Sequence, residues 1–85
     1  MNKIFYDRHG NPIRKGDTVK LVDIPLELFL GITESEQRTL RAEIGKIHLI
    51  QNTNQHGNLE LEFFDAKGIS HTIFIRPICV TRIPG

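Results

Sequence analysis

Tryptophan is absent from the 85 residues, and cysteine, methionine and tyrosine occur once each. One cysteine excludes an intramolecular disulfide, so the fold stands without that staple. The longest apolar runs are a few residues, which excludes a transmembrane helix. Residues 1 to 11 hold no apolar stretch of signal-peptide length. The expectation is a cytoplasmic chain with no membrane partner. Charge of one sign is also scarce. The net charge is +1, so no global field draws the molecule to nucleic acid or anionic lipid.

Length sets a second limit. A chain of this size is one small domain, burying roughly 60 to 65% of its unfolded surface. A doubly wound sheet, a TIM barrel or a two-domain cleft does not fit. Apolar residues are 39% and charged residues 25%, which are values of a folded domain rather than a disordered tail. The charges are not evenly spread. Residues 1–20 and 65–85 are basic in sum, whereas residues 21–64 hold seven acids against Arg38, Arg41 and Lys46.

Period-two patterning dominates both ends. His9-Gly10-Asn11-Pro12 supplies the turn of a short hairpin over residues 3–15. Gly16 turns the chain into a strand from Thr18 to Ile24, with Val19 and Leu21 on one face, and Pro25 stops it. After Gly45 a strand is expected over Lys46 to Gln51, with Ile47 and Leu49 on one face. Residues 52–58 read as a polar loop. Leu59, Leu61 and Phe63 then point inward while Glu60 and Glu62 point out. Asp65 to Gly68 forms a hairpin turn, Ile69 to Arg76 is the partner strand, and Ile78 to Ile83 is a last short strand after Pro77.

The middle follows a different period. Thr33 and Glu36 have capping-box spacing, and the ten residues from Ser35 to Ile44 hold no Gly or Pro. A helix is predicted over about residues 34–43, with Leu40 and Ile44 on its buried face and Gly45 ending it. Glu34 and Arg38 form an i,i+4 pair. Leu26, Leu28, Phe29 and Leu30 read as an apolar plug that seats this helix. The whole is a single domain over 1–85 with a helical insertion over 26–44.

The run Gly16-Asp17-Thr18-Val19-Lys20-Leu21 resembles the opening of SH3-like barrels, including those with KOW motifs. Gly45-Lys46-Ile47, Leu59 to Phe63 and His71 to Pro77 are similar to later segments of the same family. This likeness spans residues 14–83. It implies a mainly β fold: a small SH3-like barrel of about five strands with one inserted helix. Such barrels serve as adaptors, accessory subunits of enzymes and toxin-neutralising proteins, and the KOW-bearing kind binds RNA or the ribosome. The loop over residues 51–58 has no Lys or Arg, unlike a KOW element.

No residue pattern declares a catalytic centre. His9, His48, His56 and His71 lack metal-ligand spacing, and Cys79 has no second cysteine. Cys79, between Ile78 and Val80, reads as a buried small hydrophobe, and His48 and His71 read as half-exposed strand residues. Glu60 and Glu62 share one strand face, whereas glycoside chemistry needs carboxylates opposed across a cleft. The expectation is a non-enzymatic protein-binding module with no metal, cofactor or small-molecule substrate. Its candidate contact residues are Glu34, Arg38, Arg41, Glu60 and Glu62, meeting a partner with a basic surface. The alternative is RNA or ribosome binding through Lys3, Tyr6, Arg8, Arg14, Lys15, Arg76 and Arg82, where cations lie near an aromatic side chain.

Overall fold

The computed structural model describes residues 3–84. Residues 1, 2 and 85 of the expected domain lie outside the described residues. The chain opens with a hairpin of β1 (Phe5–Tyr6) and β2 (Pro12–Ile13). Five further strands follow: β3 (Thr18–Leu21), β4 (Ile47–Thr53), β5 (Leu59–Phe64), β6 (Ser70–Ile75) and β7 (Val80–Arg82). Between β3 and β4 lie a 3₁₀ turn at Leu26–Phe29 and the helix α1 (Glu34–Arg41). A second 3₁₀ turn, Pro77–Cys79, leads into β7.

The five long-range strands form one antiparallel sheet in the order β6-β5-β4-β3-β7. Its order corrects the expectation of an SH3-like barrel. A barrel requires the two outer strands to pair, yet among the described residues no ladder joins β6 to β7, and the sheet is open. The residues that carried the resemblance have local roles instead. Gly16 takes φ +93° at the turn into β3, and Asp17 accepts the Arg14 N–H at 3.1 Å. Gly-Asp-x-Val therefore specifies a turn and the start of a strand. It does not specify which sheet edges meet.

Alternation builds the core on one face. Val19, Leu21, Ile50, Leu59, Leu61, Ile75 and Val80 are almost completely buried. The hairpin adds Phe5 and Ile13, and α1 adds Leu40. In β5 the expected phase holds, with Leu59, Leu61 and Phe63 inward. In β4, the face with Ile47 and Leu49 is the outer one, and His48 and Ile50 face the core. The register requires this: Val19 pairs with His48, and Ile50 pairs with Leu61. The expectation of a half-exposed His48 is thereby corrected. A register shift between Ile50 and Asn52 then bends the strand.

Thr33 caps α1, its Oγ1 accepting the Glu36 N–H at 3.1 Å. The regular helix stops two residues earlier than the expected boundary at 43. Turns carry residues 42–45 to Gly45, at φ +93°, whose N–H donates to the Leu21 carbonyl at 2.7 Å. Since α-helical geometry ends at Arg41, Ile44 does not stack below Leu40 and stays exposed. The expected plug is only half formed: Leu28 and Phe29 pack against the core, whereas Leu26 and Leu30 face water.

Candidate binding surfaces

The outer face of the sheet is the side left uncovered by the hairpin and α1. In an antiparallel sheet with one solvated face, outward positions are normally polar. Here they include Ile47, Leu49, Phe64 and Phe74, each 47 to 62% exposed. Glu60 lies directly opposite Phe74, and Glu62 lies opposite Thr72. On the other side of β4, Lys20 pairs with Ile47 and Thr18 with Leu49. The face thus combines aliphatic and aromatic side chains with two carboxylates and the Lys20 ammonium, a composition nearer to an interface than to an ordinary solvated strand row. Sequence reading found the two glutamates. It missed the apolar residues around them: it left the face of Ile47 and Leu49 unassigned and did not place Phe64 and Phe74 on the outer side.

The helix candidates stand apart from this face. Glu34 and Arg38 pair with each other at 3.8 Å. The Arg41 guanidinium lies over the Phe29 ring, 5.1 Å from its centroid. Both contacts lie within the helical insertion, and the Glu34 and Arg38 side chains remain largely exposed. The structure therefore brings Glu60 and Glu62 together but does not join Glu34, Arg38 and Arg41 to them.

The basic candidates divide in a similar way. Lys3, Arg14, Lys15 and Arg82 line an open groove of about 940 Å³ at the hairpin, with Phe5 and Ile13 among its apolar walls and Asp17 its one acid. Tyr6, Arg8 and Arg76 are not among the groove's lining residues. Arg76 instead faces Glu27 at 3.6 Å. With Tyr6 elsewhere, the groove lacks an exposed stacking aromatic of the kind that single-stranded nucleic acid uses.

Two histidines sit beside acids. His48 Nε2 is buried, 3.4 Å from Glu43 Oε1, and makes no hydrogen bond; Glu43 Oε2 accepts from Lys46 Nζ at 2.9 Å. His71 Nε2 lies 2.9 Å from Asp65 Oδ2. Asp65 also accepts the N–H groups of Lys67 and Ile69, so this pair clasps the β5–β6 turn. The His71 hydrogen bond, with the Ile69 N–H next, holds the Asp65 carboxyl below its ordinary pKa. Cys79 is buried, and burial, with Asp23 nearby, raises its thiol pKa. A nucleophile needs the opposite shift. Among the described residues no three His, Cys, Asp or Glu side chains converge as a metal site.

No protein-family model, curated protein or solved structure matches this chain. Among the described residues no helix is long and apolar enough to cross a membrane.

Proposed function

We propose that this chain is a non-enzymatic protein-binding module, acting in the cytoplasm, whose partner presents apolar side chains ringed by Lys or Arg. The observation that carries the reading is the uncovered sheet face, where Ile47, Leu49, Phe64 and Phe74 surround Glu60 and Glu62. Apolar area supplies affinity to such a contact, while the carboxylates supply on-rate and selectivity. A toxin-neutralising protein and an accessory subunit of a larger enzyme are two concrete forms of this role. The test is affinity capture from the native host with the parent chain and with the variants Glu60→Lys/Glu62→Lys and Phe74→Ser. The reading expects a basic partner that both variants lose. Enrichment of no protein over control, or of one that both variants retain, overturns it.

A second reading rests on the groove lined by Lys3, Arg14, Lys15 and Arg82. Four cations against Asp17 favour a phosphate-bearing chain such as RNA. Phosphate contacts make affinity fall steeply with salt. Fluorescence anisotropy with a mixed-sequence RNA at low salt tests it. Binding that Arg14→Glu/Lys15→Glu abolishes supports RNA association, and no binding by the parent chain removes it.

A further inference from the structure

The two edges of the open sheet are unequal. β7 has three residues, carries Arg82 and runs between Pro77 and Pro84, features that blunt an edge. β6 has six residues, Ser-His-Thr-Ile-Phe-Ile, with no Lys, Arg or Pro and an unbroken register against β5. Alternate residues of such a strand turn their N–H and C=O groups away from their partner. Among the described residues no backbone hydrogen bond reaches β6 from the side away from β5. Along this strand runs a groove of about 300 Å³, walled by Leu28, Ile32 and Leu40 from the helical insertion and by His71 and Ile73 from β6. Glu36 stands at the groove on the helix side.

We infer that β6 receives an extended segment of the protein partner as a sixth strand, one that alternates apolar with basic residues. This inference rests on the protein-binding reading and names its mode. Main-chain hydrogen bonds to the free edge supply affinity, and side-chain pockets select the sequence. The inward positions of the added strand enter the groove against Leu28, Ile32 and Leu40. Its outward positions lie beside Ser70, Thr72 and Phe74. Glu60 and Glu62 lie one strand further, about 10 Å away at the usual strand spacing, within joint reach of an extended Lys and Glu. Charge complementarity sets the segment's sign: Glu36 borders one face, and Glu60 and Glu62 the other. Of the cations near this edge, Arg38 faces Glu34 and Arg76 faces Glu27, the Arg41 guanidinium lies over the Phe29 ring, and Lys67 stands in the turn before β6.

The probe is a blocked hexapeptide alternating valine with lysine, titrated to millimolar concentration into the ¹⁵N-labelled chain. The expected result is amide shifts along Ser70–Ile75, with slowed exchange at alternate N–H groups. A valine–glutamate peptide is expected to leave these amides unmoved. Thr72→Lys, at an exposed position, should weaken the valine–lysine peptide by about two- to fivefold, the effect of one like-charge neighbour across a strand pair. Equal binding of both peptides, or shifts confined to the hairpin groove, overturns the inference. A concentration-dependent dimer through β6 in sedimentation also overturns it, because a second copy then takes the edge. Charge-dependent capture of a partner that leaves the β6 amides unchanged sinks strand addition alone. Loss of the protein-binding reading shows separately, as capture indifferent to Glu60→Lys/Glu62→Lys.

Discussion

The Asp7 carboxylate accepts the backbone N–H of Arg82, 75 residues away, at 2.6 Å. Its oxygens also accept the N–H groups of His9 and Asn11 and the Asn11 side-chain amide. A buried acid thereby closes the hairpin turn and ties it to β7. In return, the Arg8 N–H donates to the Val80 carbonyl at 3.0 Å. The tie also fixes one wall of the basic groove, since Lys3, Arg14 and Arg82 meet only where the hairpin docks on the end of the sheet.

This clasp gives stability a pH dependence. Burial pushes the Asp7 carboxyl up, but the N–H groups of Arg82, Asn11 and His9 with the Asn11 amide outweigh it, and the pKa falls from 3.8 to about 2. A folded pKa below the unfolded one means stability is fully present above about pH 4 and is lost as pH falls toward 2. Asp7→Asn turns an acceptor into a donor facing another donor, and is expected to cost about 1 to 3 kcal/mol at pH 7. Urea midpoints of parent and variant between pH 2 and 6 check this, and the gap should narrow toward pH 2.

Thr33→Ala removes the side-chain acceptor for the Glu36 N–H. The expected loss is about 1 kcal/mol. A lower urea midpoint at unchanged slope is the result that agrees. An unchanged midpoint would show that water replaces the cap without cost.

At Gly45, an added Cβ meets nothing within 4 Å, and φ is +93°. Gly45→Ala therefore carries conformational strain without a clash, about 1 to 2 kcal/mol. Thermal unfolding of the variant reads the loss directly. A larger loss would mean that the hydrogen bond from Gly45 to Leu21 also breaks.

Cys79 lies in the core with its thiol pKa raised by burial. A thiol reagent at pH 8 is expected to label it only as fast as the chain unfolds. Rapid stoichiometric labelling under native conditions would contradict its burial.

Local chemistry fixed much of this molecule in advance. The Thr33 cap, the inward phase of Leu59, Leu61 and Phe63, the Asp65–Gly68 turn and the break at Pro77 are all short-range effects, set by backbone torsion and period two. Tertiary structure decided what short-range signals cannot carry. The face of β4 was settled by its pairing with β3, which put His48 in the core and Ile47 and Leu49 outside. The bond from the Arg82 N–H to Asp7 spans 75 residues, and only the docking of β7 beside the hairpin makes it. The open edge at β6 depends on which strands meet across the whole chain, and a strand's sequence is the same whether its second edge is paired or free. Glu60 and Glu62 were legible as an outward pair, yet their apolar surroundings were not, because that surface is assembled from β4, β5 and β6 together. Alternation along one strand states which residues share a face, and only the partner strands determine whether that face looks toward the core or toward water.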